Sequence, residues 1–133
     1  MASRELHRGR TNVSSCKYQV VFCPKDRRKV LVPPIDGRLK ELILEKQTEY
    51  SDGVIEMEVM PDHVHLHLDV DPRIGIDADV PKIKGYTAHT IRKEDPWMKS
   101  RLPSLWTRSR FIASVGAVSL EVVKQYIEEQ KGK

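Results

Sequence analysis

The sequence predicts an α+β fold, an antiparallel sheet covered by helices on one face, with one more helix closing the chain. Three observations predict it. Two neighbouring segments, Val54–Met60 and His63–Val70, alternate in side-chain character with the period of two of a strand. Two others, Ile35–Tyr50 and Val80–Lys93, repeat apolar residues at the three-and-four spacing of an amphipathic helix. Proline, glycine and aspartate punctuate the joints between them. In order, the elements run β-α-β-β-α-β-α, and the first six match the ferredoxin-like, split β-α-β arrangement, whose sheet keeps one face free.

Residues 1–13 carry mixed charge without periodicity and are expected to form a mobile arm, leaving 14–133 as a single domain. Cys16–Cys23 (CKYQVVFC) is rich in β-branched and aromatic residues and is stopped by Pro24, so it reads as the first strand, with the basic stretch Lys25–Lys29 as its exit loop. Pro33 and Pro34 precede the first helix, where Leu39, Leu42, Ile43 and Lys46 recur at helical spacing. The Ser51-Asp52-Gly53 turn introduces the second strand, with Val54, Glu56 and Glu58 on one face and Ile55, Met57 and Val59 on the other. Pro61-Asp62 turns the chain into the third strand. There His63, His65, His67 and Asp69 oppose Val64, Leu66, Leu68 and Val70, whose apolar face must look into the core. The second helix runs through Ile83, Tyr86, Thr87 and Thr90 despite Gly85 and ends by Pro96. Leu105–Val115 (LWTRSRFIASV) has strand composition, and Ser119 with Glu121 opens the last helix, which continues to Gln130.

At 133 residues the chain has room for one core of ordinary size. With 39% apolar and 32% charged residues it is expected to fold rather than stay disordered. The net charge of +4 permits a nucleic-acid partner without requiring one, although Lys25, Arg27, Arg28 and Lys29 cluster, as do further basic residues in the second half. Cys16 and Cys23 make neither a disulfide framework nor a zinc pair, which points to a reducing cytoplasm. No apolar run approaches the roughly 20 residues a membrane span needs, so no membrane partner is expected.

Two constellations carry chemistry. His63 and His65, at i and i+2 on a strand, project from one face and can share a cation, each neutral imidazole offering a lone pair. The plain alternative is a histidine pair on a solvated sheet face. Asp62, just before the pair, is placed to orient an imidazole or to add an oxygen ligand. Tyr126 and Gln130 lie four apart and so share one face of the last helix. They either reach one site together, or Tyr126 packs with Val122 and Ile127 on the sheet while Gln130 is solvated.

The run Met57–Leu68, MEVMPDHVHLHL, resembles the signature of the small one-tyrosine HUH transposases of bacterial and archaeal insertion sequences. CPKDRRKVL resembles that family's basic block, and IKGYTAHTIRKEDP, LWTRSRFIASVG and VVKQYIEEQ resemble its later blocks in the same order, so the likeness spans Cys16 to Gln130. The resemblance implies that His63 and His65 are the metal pair, Tyr126 the nucleophile and Gln130 the third protein ligand. It further implies single-stranded DNA, recognised beside a hairpin, as substrate, and a homodimer with composite active sites. The implied reaction is cleavage and rejoining through a 5′-phosphotyrosine. Two imidazoles with oxygen donors suit Mg2+ or Mn2+. Lys25, Arg27, Arg28 and Lys84 are then expected to contact phosphates. His67 stands where the family usually has an apolar residue, and an accessory or structural part is expected for it.

Two rival functions fit the same fold class. A non-catalytic nucleic-acid binder would stack bases on sheet aromatics, for which Tyr18 and Phe22 are the candidates. A metal-dependent nuclease would use a metal-bound water and leave Tyr126 as packing.

Overall fold

The computed structural model describes residues 7–8, 13–14, 16–47, 52–71, 75–114 and 120–133. A two-stranded antiparallel ribbon, β1 (His7–Arg8) with β2 (Val13–Ser14), precedes a four-stranded sheet. The sheet consists of β3 (Cys16–Phe22), β4 (Asp52–Met60), β5 (His63–Val70) and β6 (Phe111–Ser114), in the order β4-β5-β3-β6 with every neighbouring pair antiparallel. The connections carry α1 (Ile35–Lys46) between β3 and β4, and α2 (Ile76–Glu94) with α3 (Pro96–Arg101) between β5 and β6; α4 (Leu120–Glu129) follows. This is the expected α+β, ferredoxin-like topology. Within the expected N-terminal arm, His7 and Arg8 of β1 pair with Ser14 and Val13 of β2; the remainder of the first 15 residues lies outside the described ones.

Register divides the sheet into two faces. Tyr18, Val20 and Phe22 stand opposite Leu68, Leu66 and Val64, and all but Tyr18 are fully buried. They meet Leu39, Leu42 and Ile43 of α1 and Val80, Ile83 and Ile91 of α2. Each such aliphatic side chain withdrawn from water contributes about 1.5–3 kcal/mol, which is what holds β5 to one register. Phe22 packs edge-on against Trp106, with ring centroids 4.7 Å apart. Tyr18 and Phe22 therefore face the helices rather than the opposite sheet face, and the base-stacking reading loses its aromatics.

Several boundaries differ from expectation for identifiable reasons. α2 begins at Ile76, four residues before Val80, and contains Pro81; burial of Ile76, Val80 and Ile83 outweighs the backbone bond a proline forfeits. Pro96 does not merely stop that helix but starts α3 at its first position, with Asp95 capping Trp97 N–H at 3.1 Å. The last strand is shorter than expected: Leu105–Arg110 is irregular and only Phe111–Ser114 is strand, while Val115 lies outside the described residues, as does Ser119. In β4 a bulge at Ile55 shifts the register between Val54 and Glu56. Val54 consequently joins Met57 and Val59 against the core, and Ile55 is left exposed, correcting the simple alternation.

Candidate active site on the histidine face

The other sheet face carries the histidines. His65 and His67 stand opposite Glu58 and Glu56 of β4 and opposite Val21 and Gln19 of β3. His63, at the start of β5, places Nδ1 2.9 Å from Oδ1 of Asp62, the carboxylate at the turn before it. With the proton on Nδ1 donated to Asp62, Nε2 of His63 keeps its lone pair. Asp62 is in turn held by Arg27, whose Nε lies 3.3 Å from Oδ2. His65 Nε2 lies 3.2 Å from the amide oxygen of Gln19, so it carries the proton there and keeps a lone pair on Nδ1. Burial, then the neighbouring His67, lowers the His65 pKa below its usual range and favours the neutral ring a ligand requires. His67 stacks edge-on against His65 at 5.2 Å and lies 3.5 Å from Glu56. A groove of about 400 Å3, bordered by His65, His67, Glu56, Glu58 and Leu120, opens over this row.

The final helix crosses the same face. α4 contacts β3, Val123 of α4 and Val21 of β3 are both buried, and the Tyr126 ring tilts against Phe111 at 5.4 Å. Since Phe111 pairs with Val21 and Val21 with His65, the residues His65, Val21 and Phe111 form one row across three strands, with Tyr126 beside its end. Neighbouring strands lie about 4.8 Å apart, so His65 and Phe111 are about 10 Å apart along the row.

Tyr126 and Gln130 converge on a third residue, Ser109. The phenol and Ser109 Oγ are 2.5 Å apart, Ser109 donates to Gln130 Oε1 at 3.0 Å, and Gln130 Nε2 donates to the Tyr126 carbonyl at 3.1 Å. Burial raises the phenol pKa and the Ser109 bond draws it partly back. Gln130 is only 2% exposed, so the solvated alternative does not describe it. Val122 is exposed rather than packed beneath the tyrosine. Among the described residues no hydrogen bond joins Tyr126 or Gln130 to His63 or His65, and no three His, Cys, Asp or Glu side chains cluster as a metal cage.

The basic candidates separate into two pairs. Arg27 is turned inward, bridging Asp62 to Glu128 Oε1 at 3.2 Å and to the Ile127 carbonyl at 3.3 Å. Lys84 is likewise used within the fold, donating to the carbonyls of Thr107, Arg108 and Ser109. Both side chains are thus engaged within the fold, whereas the other two basic candidates are partly or fully open to solvent. Lys25 borders a groove of about 320 Å3 together with Arg108 and Ser109, and Arg28 is exposed. Ser109, Gln19 and the tying part of Arg27 were missed in sequence, because each acts through a partner distant along the chain.

A family model described as Transposase IS200 like matches residues 12–130. The chain is 34% identical over 131 residues to the ISDra2 transposase TnpA of Deinococcus radiodurans, covering 97% of this chain and 94% of that one. It is 28% identical over 123 residues to the transposase for insertion sequence element IS200 of Salmonella typhimurium, covering 88% and 80%. The crystal structure of a candidate transposase from Deinococcus radiodurans R1 superposes with a TM-score of 0.87 at 30% identity, covering 96% and 99% of the two chains. A REP-associated tyrosine transposase bound to a REP hairpin shares the fold at a TM-score of 0.60 and 12% identity, covering 92% and 68%.

Proposed function

Because the chain belongs to the IS200-like transposase family, we propose that it cleaves and rejoins single-stranded DNA through a covalent bond to Tyr126. The observation that carries this reading is the shared face: two imidazoles with lone pairs to offer and a phenol stand on one side of one sheet, with His65 and the phenol at the two ends of the row His65, Val21, Phe111. A tyrosine with no such neighbourhood would be ordinary packing.

The donor set fits a divalent ion. His63 and His65 would hold it through the nitrogens left free by Asp62 and Gln19, and Gln130 Oε1 would complete the protein ligands, a mixed nitrogen and oxygen set suited to Mn2+ or Mg2+. When bound, the ion supplies positive charge that polarises the scissile phosphate and lowers the cost of forming phenolate. Asp62 and Arg27 fix the tautomer and angle of His63. Tyr126 Oη attacks phosphorus, forming the P–O bond to tyrosine and breaking the bond to the 3′ oxygen, which leaves as a hydroxyl. The phenol releases one proton to solvent as that bond forms and the departing 3′ oxygen takes one up from solvent, so the step is balanced; in the resting chain the phenol is hydrogen-bonded to Ser109 Oγ. One phosphodiester is exchanged for another, so a second 3′-hydroxyl reverses the step without external energy. Lys25 and Arg108 border the groove beside Ser109 and, with the exposed Arg28, would pair with the strand's phosphates.

Two chains would share the work. The phenol within one chain is held by Ser109 rather than by the imidazoles, which suits a homodimer in which α4 of one subunit serves the histidines of the other. The substrate end would lie beside a hairpin.

Incubation of the chain with single-stranded DNA and Mn2+ tests the reading. The expected result is a protein–DNA adduct that survives denaturation and is absent with Tyr126→Phe. Cleavage without an adduct would identify a nuclease using metal-bound water, and binding alone would identify a non-catalytic module.

A further inference from the structure

Lys84 projects from α2 toward the irregular segment before β6. Its Nζ lies 2.8 Å from Thr107 O, 3.4 Å from Arg108 O and 3.2 Å from Ser109 O. Consecutive carbonyls of a strand point to alternate sides, so three in succession converging on one ammonium require a curled backbone. That is the physical reason LWTRSR is not strand despite its composition. The curl is anchored elsewhere as well: Trp106 Nε1 donates to Thr87 Oγ1 at 3.1 Å, Thr107 N–H donates to Cys23 O at 2.9 Å, and Thr107 Oγ1 donates to Lys133 O at 3.2 Å. Lys84 and Thr87 are three apart on one face of α2, so one helix pins both ends of the curl.

Ser109 is the outlet of this segment. Its single hydroxyl proton goes to Gln130 Oε1, so its oxygen is left to accept from the Tyr126 phenol. We propose that Lys84 is a positioning residue for the nucleophile, fixing the 107–109 backbone so that one serine hydroxyl orients both Tyr126 and Gln130. The word nucleophile rests on the functional reading above; the positioning itself does not. Lys84 thus acts on the reaction without touching DNA, unlike Lys25, which faces the open groove beside Ser109.

The test compares Lys84→Met, which keeps the stem and removes the donors, with Lys84→Arg, which restores charge and N–H groups. NMR spectra of the full chain labelled at its tyrosine ring carbons contain four ring systems, and the Tyr126 signal is assigned by its loss in Tyr126→Phe. In Lys84→Met that signal should move toward the position of a free tyrosine, and in Lys84→Arg it should stay with wild type. With an oligonucleotide that wild type cleaves, selected from a random single-stranded library, the adduct rate at saturating DNA should fall about tenfold or more in Lys84→Met, since small misplacements of a reacting group are costly. The dissociation constant for the same DNA should stay within about twofold, because no phosphate contact is lost. An unmoved Tyr126 signal in Lys84→Met would overturn the proposal, and so would weakened DNA binding with an unchanged saturated rate. Should Lys84→Met fail to fold, Lys84→Gln carries the same readouts. If wild type forms no adduct with any DNA, the functional reading fails while the NMR comparison still decides the positioning.

Discussion

The phenol of Tyr126 meets the hydroxyl of Ser109 at 2.5 Å, a contact between the last helix and a segment with no regular structure. The proposed nucleophile is therefore oriented by a loop, and the two proposed imidazole ligands by a strand. Loop positions of this kind are precise only when their backbone is pinned, as here by Lys84, Thr87 and Cys23.

Ser109→Ala separates the two influences on that phenol. Burial raises the Tyr126 pKa above its ordinary value near 10, and the Ser109 hydroxyl, whose proton can turn from Gln130 to the phenolate as it forms, lowers it, so removal of the hydroxyl should push it higher still. The phenolate absorbance difference between the variant and its Tyr126→Phe double mutant measures this. Adduct formation at neutral pH should slow by about tenfold, the low end of what a lost oriented hydrogen bond costs.

Arg27→Ala should cost about 1–3 kcal/mol in urea unfolding, because the side chain is only 16% exposed and its loss removes charge-assisted bonds to Asp62, which keeps His63, and to the Ile127 carbonyl, which keeps Gln130 N–H. Arg27→Lys should recover only part of this, since a point ammonium cannot span both acceptors. An unchanged midpoint for both would mean the bridge is solvent-screened and contributes nothing.

Lys84 gives a pH signature. Burial, then the charge of Arg110, lowers its pKa to about 8 in the folded chain, against 10.5 as its ordinary value, while nearby Cys23 acts in the opposite direction. Between those values the unfolded chain binds more protons, so this group's contribution to stability rises as pH climbs through the window. Tyr126 and Cys23, both raised, contribute with the opposite sign as the unfolded chain loses their protons first. The melting temperature of wild type minus that of Lys84→Met, which cancels those two, should therefore increase from pH about 7.5 to about 10. A flat difference would show that Lys84 titrates normally.

Cys23 should resist iodoacetamide in the native state. It is fully buried, and burial followed by the Asp62 charge pushes its pKa up to about 12, leaving almost no thiolate near neutrality. Mass spectrometry should find native label on the half-buried Cys16 alone, with Cys23 labelled only after denaturation.

What the sequence disclosed depended on how far each signal reaches. β5 was legible because its pattern is local: Val64, Leu66 and Leu68 alternate with His63, His65 and His67, and one register buries the first set. α3 was missed although Asp95-Pro96 is a helix start signal, because proline was taken only as a stop. LWTRSR was misassigned because strand composition says nothing of a lysine about twenty residues earlier gathering its carbonyls. Ser109 belongs to the same blind spot. The shared face of Tyr126 and the histidines, in contrast, followed once the topology was known.

The bulge at Ile55 marks a place where the length of β4 is negotiable. Upstream and downstream of it the strand keeps opposite parity, and the extra residue absorbs the mismatch. A chain lacking Ile55 would run Val54, Glu56, Met57, Glu58, Val59 in unbroken alternation, leaving carboxylates opposite His65 and His67 and aliphatics on the helices. Deletion of Met57 would instead turn the second half of the strand inside out. Removal of Ile55 alone should thus shorten β4 without disturbing the imidazole row.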